Sequence, residues 1–202
     1  MLNAPLNYCV GLSFIRLTGF SFYDKIKKVK IILFSGDAMK KLRGKAVVGQ
    51  SGGPTAAINA TLAGVIRGVL EKEVHGGTIT GILGMRNGIE GFLREDFISL
   101  DGIFSDTEKL SLLETTPAAA LGSCRKKLPK PEEDPAFFKN VFDIFEKHNI
   151  RYFFYIGGND SMDTVAKLSA YSEKCGYEIR ILGVPKTIDN DLVGTDHTPG
   201  FG

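Results

Sequence analysis

Tryptophan is absent from the 202 residues, and no run of 18 or more apolar residues occurs. The second absence leaves no candidate for a transmembrane helix. Cysteine is scarce: Cys9, Cys124 and Cys175 are odd in number, far apart and without a CxxC pair. They read as reduced thiols of a cytoplasmic protein rather than a disulfide framework. Neither sign of charge dominates. A net charge of +2 gives no electrostatic case for nucleic acid or membrane as partner. The first residues have no early basic region, Arg16 interrupts their apolar stretch, and no small-residue cleavage pattern follows, so secretion is not expected. There is no internal repeat and no low-complexity tract. What is present is a globular balance, 43% hydrophobic and 24% charged, enough for one or two domains. The 24 glycines gather in short motifs.

Residues 1–38 differ from the rest. They are rich in Phe, Tyr and Lys and show no convincing helix or strand pattern. They are expected to be a poorly ordered extension, with Met39 as the natural start. From Lys45 short apolar strands alternate with amphipathic helices. "KAVVG", "TITGILG", "RYFFYIGG" and "IRILGVP" are predicted strands. "TAAINATLAGVIRGVLEK" is a predicted helix with Ile58, Leu62, Val65, Ile66 and Val69 on its apolar stripe. "DPAFFKNVFDIFEKHNI" is another, with Asp134 as N-cap, Pro135 in the first turn, and Phe138, Val141, Phe142 and Phe145 facing inward. "DSMDTVAKLSAYSEKCG" is a third, closed by a glycine. The alternation predicts an α/β fold: a Rossmann-like parallel sheet with helices on both faces. "RKKLPKPEEDP" reads as a long surface connection.

Three predicted strands end in unusual turns: "VGQSGGPTAAIN", "YIGGNDSMDT" and "VPKTIDND". Open α/β sheets bind ligands at the carboxyl ends of their strands, so the three turns are expected to line one crevice. Gly52 and Gly53 would let backbone N–H groups approach a phosphate at a helix start. The motif is neither GxGxxG nor a Walker A loop, and a structural glycine turn explains it equally well. In the second turn Asp160 stands at a helix entrance, where capping by Asp160 or Ser161 is the plain alternative. The third turn is harder to explain blandly. A lysine, Lys186, precedes two carboxylates, Asp189 and Asp191. Phosphoryl transfer needs a carboxylate to take a hydroxyl proton, oxygen ligands for Mg2+, and cations on the transferring group. Lys186 and Arg125 are candidate cations.

The order of "GQSGGPTAAINA", "LGSCR", "IGGNDSMDT", "GVPKTIDND" and "GTDHTPGFG" resembles the phosphofructokinase family, in its pyrophosphate-dependent branch. The resemblance runs from Lys45 to Gly202. It implies transfer of phosphate from pyrophosphate to the 1-hydroxyl of fructose 6-phosphate, giving fructose 1,6-bisphosphate reversibly, with Mg2+ as cofactor. It implies donor-phosphate contacts at Gly52, Gly53 and Arg125, and a proton acceptor at Asp189. Sugar-phosphate contacts fall on Thr187, Ile188 and Asp189, and magnesium on Asp191 and Asn159. Asp189, Lys186 and Asp191 form the implied catalytic group.

Asp160 and Lys186 bear on the donor, because ATP-dependent relatives carry glycine at both positions. A carboxylate at 160 would fill and charge the place of a nucleotide α-phosphate, costing on the order of 4 kcal/mol at ~4 Å and an effective dielectric of about 20. Lys186 would stabilise a pyrophosphate leaving group. Asn159 departs from the family, which has an aspartate there, so the ligand set loses one charge. Family members continue into a second, acceptor-binding domain and form homo-oligomers. The expectation is therefore an N-terminal, donor-binding domain (45–202) truncated before the acceptor half, with little turnover alone. The competing readings are an ATP-dependent 6-phosphofructokinase, a NAD or lipid kinase, and a phosphate-binding fragment without catalysis.

Overall fold

The computed structural model of the chain describes residues 41–71, 76–191 and 194–201. The expected extension over 1–38 lies outside the described residues. From Lys41 onward the alternation resolves into five strands, and five helices are described: β1 (Gly44–Gln50), α1 (Ala56–Leu70), β2 (Ile79–Met85), α2 (Gly88–Leu93), β3 (Phe97–Ser99), α3 (Thr107–Thr115), α4 (Pro135–Lys147), β4 (Ile150–Gly157), α5 (Asn159–Cys175) and β5 (Arg180–Pro185). The sheet order is β3-β2-β1-β4-β5. β1 pairs parallel with both β2 and β4, and β4 pairs parallel with β5.

Each predicted strand and helix is present, with ends moved by one to a few residues. The pattern missed α2, β3 and α3. β3 is three residues long and pairs antiparallel with β2, so the sheet is parallel with one antiparallel edge. So short a strand carries no readable alternation. α3 shows little apolar periodicity because only Leu110 and Leu113 face inward.

Side chains alternate across β1 and divide the core in two. Val47 joins Met85, Phe153 and Tyr155 against Phe92, Phe138, Phe142 and Phe145. Ala46 and Val48 join Ile82 and Ile156 against Ile58, Leu62, Ile66 and Val69 of α1 and Leu110 and Leu113 of α3. Of the stripe predicted for α1, Val65 packs only at the margin. Phe145 is the hub of the aromatic side, with ring centroids 4.9 Å from Phe92, 5.3 Å from Phe142 and 5.6 Å from Phe153. Asp134 caps α4 as predicted, its carboxylate accepting from Phe137 N at 2.9 Å.

The crossover from β1 leads outward to β2, and the one from β4 leads outward on the other side to β5. The strand order therefore reverses between β1 and β4. Such a switch point opens a crevice beyond the carboxyl ends of the strands. All three unusual turns fall there.

Candidate active site

The turn after β1 is held from two sides. Ser51 N donates to Ile156 O of β4 at 2.8 Å. The segment "GSC" lies along its other side: Gly52 N donates to Cys124 O at 3.3 Å, Ser51 Oγ to Cys124 O at 3.2 Å, and Ser123 Oγ to Gly52 O at 2.5 Å. Gly52 has φ +76°, a left-handed conformation that glycine adopts without strain. A Cβ there would stand 3.4 Å from Lys186 Nζ. Arg125 follows directly, its Nη2 4.0 Å from where a Cβ on Gly53 would be.

The turn after β4 brings the start of α5 against this loop. Gly157 has no room for a side chain, since a Cβ would meet Ser161 Oγ at 2.1 Å and the Ser51 carbonyl at 3.0 Å. The residue preceding α5 is Gly158, which has no side chain to cap with. Asp160 therefore does not cap the helix. Its carboxylate lies 3.5 Å from Lys127 Nζ, both side chains well exposed at 65% and 74%.

The turn after β5 supplies the lysine and the acids. Lys186 is only 1% exposed, and its Nζ donates to Gly53 O at 2.6 Å. Burial pushes its pKa below the ordinary 10.5, and the nearby Arg125 adds to the effect, while Asp189 opposes it. Thr187 Oγ1 accepts from Asp189 N at 3.1 Å and lies 3.3 Å from Asp191 Oδ1 and 3.5 Å from Asp189 Oδ2. Asn159 Nδ2 donates to Asp191 Oδ2 at 2.5 Å, joining the second turn to the third. Asn190, at φ +51°, points its amide the other way. It accepts from Thr198 N at 2.8 Å and donates to Asp196 O at 3.0 Å. Thr198 Oγ1 donates to Thr187 O at 3.1 Å, and Thr187 N to Pro199 O at 2.9 Å. The final segment is thus folded back onto the acid turn.

The sequence profile of the phosphofructokinase family matches residues 45–202. The chain belongs to the phosphofructokinase family. It is 44% identical over 159 residues to the pyrophosphate–fructose 6-phosphate 1-phosphotransferase of Xanthomonas campestris pv. campestris (strain B100), covering 79% of this chain and 36% of that protein. It is 45% identical over 157 residues to the enzyme of the same name from Halomonas elongata, covering 78% and 36%. The crystal structure of a pyrophosphate-dependent phosphofructokinase from Nitrosospira multiformis superimposes with a TM-score of 0.69 at 45% identity, covering 77% of this chain and 37% of that one. The chain therefore spans 36% of the length of these curated relatives.

In this phosphofructokinase-family sheet, Gly52, Gly53, Arg125 and Lys186 form a cationic group at the switch point. Asn159, Thr187, Asp189 and Asp191 form an acidic group beside it. Asp160 stands at the rim with Lys127, and Ile188 is turned out, 55% exposed. Asn159 offers its N–H, not its oxygen, to Asp191. That bond sets Asn159 beside Asp191, the other residue expected to hold magnesium, and does not involve its Oδ1. Among the described residues no group of three or more His, Cys, Asp or Glu is gathered to hold a metal, and no helix is long and apolar enough to cross a membrane. Sequence reasoning missed Ser51, Ser123, Lys127, Asn190 and Thr198. Of these only Lys127 stood outside the five ordered motifs, while Ser51, Ser123, Asn190 and Thr198 stood inside them. Their bonds run to backbone atoms far along the chain or folded back upon it, which spacing does not reveal.

Proposed function

We propose that this chain carries the donor and proton-acceptor side of a phosphotransferase that moves a phosphoryl group from pyrophosphate to the 1-hydroxyl of fructose 6-phosphate, giving fructose 1,6-bisphosphate. One observation carries the reading: buried Lys186 touches the Gly53 carbonyl and interacts with both Arg125 and Asp189. A cation is thereby fixed between a phosphate-binding glycine turn and a carboxylate. The names of the relatives support the same reaction.

Gly52 and Gly53 present backbone to the donor, and Lys186 with Arg125 neutralises charge as the leaving phosphate departs. Asp189, exposed at the end of β5, takes the proton of the sugar hydroxyl. Asn159 and Thr187 hold Asp191 beside it. Asp189 and Asp191 are exposed oxygen donors flanking one hydroxyl, a set that fits Mg2+ with its remaining sites filled by water. Bound there, principally by Asp191, the ion would screen charge on the pyrophosphate oxygens. Thr187 and Ile188 meet the sugar phosphate. The whole protein is cytoplasmic and assembles from like subunits, with this segment as its donor-binding domain and residues 1–38 as an extension.

Asp160 and Lys186 together favour pyrophosphate over ATP. Exposure of Asp160 and its pairing with Lys127 reduce the electrostatic part of that preference, leaving the bulk of the side chain as the main obstacle. Calorimetry on the chain with magnesium pyrophosphate and magnesium ATP tests the reading. Pyrophosphate is expected to bind and ATP not, and Asp160→Gly with Lys186→Gly is expected to admit ATP and weaken pyrophosphate. Absence of pyrophosphate binding would overturn the donor assignment. Binding with no phosphorylation of fructose 6-phosphate, even when the rest of a relative is supplied, would reduce it to phosphate binding.

A further inference from the structure

Two amides, Gln50 at the end of β1 and Asn59 on α1, are buried to 0% and 1% exposure within an otherwise apolar layer. Gln50 Nε2 donates to Asn59 Oδ1 at 2.9 Å and Ile58 O at 3.2 Å, and Gln50 Oε1 accepts from Leu121 N at 2.9 Å. Asn59 Oδ1 also accepts from Ala120 N at 2.9 Å, and Asn59 Nδ2 donates to Thr116 O at 2.9 Å. Backbone N–H groups can only donate, so Ala120 and Leu121 fix the orientation of both amides.

Three of these five bonds go to residues 116–121, which have no regular secondary structure. Buried backbone groups must find partners, and here side chains supply them. The same segment continues through Ser123 and Cys124, which bond the Gly52 turn, to Arg125. Arg125 is exposed, so its own packing does little to place it. Its position is inherited from the segment beneath.

We propose that Gln50 and Asn59 are positioning residues for the donor-phosphate site. Their buried pair seats segment 116–124 on the end of β1, and that seat sets where the Arg125 guanidinium stands over the Gly52–Gly53 turn. The inference rests on the functional reading above for what Arg125 binds, but the seating itself is independent of it.

The test uses the full chain with Asn59→Ser, Gln50→Met and, as a control for stability alone, Phe145→Leu in the opposite core. NMR relaxation of the Arg125 guanidinium Nε–H group reads its order. Both amide variants are expected to lower that order while Phe145→Leu leaves it unchanged; unchanged order in folded Asn59→Ser and Gln50→Met would overturn the proposal whatever the chain binds. Titration with magnesium pyrophosphate supplies the second readout. Each amide variant is expected to weaken binding about tenfold, and to add nothing in an Arg125→Ala background, as sites acting through one another do. Fully additive losses would also overturn it. If the unmodified chain binds no pyrophosphate, the functional reading fails, and the order measurement alone decides the seating.

Discussion

Lys186 concentrates the electrostatics of the site in one residue. Its ammonium is buried, close to a second cation, and its pKa is held below 10.5. A lysine whose folded pKa is lowered burdens the fold while charged. The penalty is full below the lowered value and is relieved as pH rises through it toward 10.5. Melts of the native chain and of Lys186→Met, run from about pH 7 to about pH 10, should therefore show the native chain gaining on the variant as pH rises. A flat or opposite trend would mean that burial does not strain this ammonium. On the function proposed above, an anionic donor beside Lys186 and Arg125 would supply countercharge and relieve that strain.

At the scale of elements, two short pieces of chain decide how well the site is built. The acid turn after β5 is kept in shape by a hydroxyl from the returning segment, Thr198 Oγ1 on Thr187 O. Thr198→Val deletes that donor without changing volume and leaves a buried carbonyl short of a partner. Urea denaturation should show a loss of about 1–3 kcal/mol, and Thr198→Ser should restore most of it. Restoration failing would assign the effect to the methyl group's packing. On the far side of the sheet α4 begins at an exposed cap. Asp134→Ala should cost about 1 kcal/mol by the same measurement and leave pyrophosphate binding untouched. A change in binding there would imply a coupling through the aromatic core that the contacts give no reason to expect.

At the scale of the molecule, the two halves of the core share one sheet. β1 contributes Val47 to one and Ala46 and Val48 to the other, so neither half is expected to melt alone. With no tryptophan, the tyrosines report tertiary structure: Tyr155, Tyr171 and Tyr177 lie with the aromatic half and Tyr152 with the aliphatic half. Tyrosine fluorescence and far-ultraviolet circular dichroism should give coincident unfolding curves. Separated midpoints would show that one half opens first.

The sequence by itself determined the alternation of strands and helices, because each long element carries its own period: Phe138, Val141, Phe142 and Phe145 can share a face only in a helix. It also singled out three turns at strand ends, and five motifs standing in one order pointed to the family whose profile matches residues 45–202. Tertiary structure alone decided the rest. The short α2, β3 and α3 owe their form to neighbours rather than to periodicity. Asp160 looks like a cap in sequence, yet Gly158 precedes the helix and Lys127 claims the carboxylate. Asn159 looks like a ligand in sequence, and only the fold shows its amide nitrogen bonded to Asp191. Gln50 and Asn59 look like polar residues of no special kind until the loop they hold, some 60 to 70 positions later, is folded against them. A hydrogen bond is a short-range, directional contact between groups that the fold brings together. Its partners are therefore fixed by the path of the backbone in space, which sequence spacing does not contain.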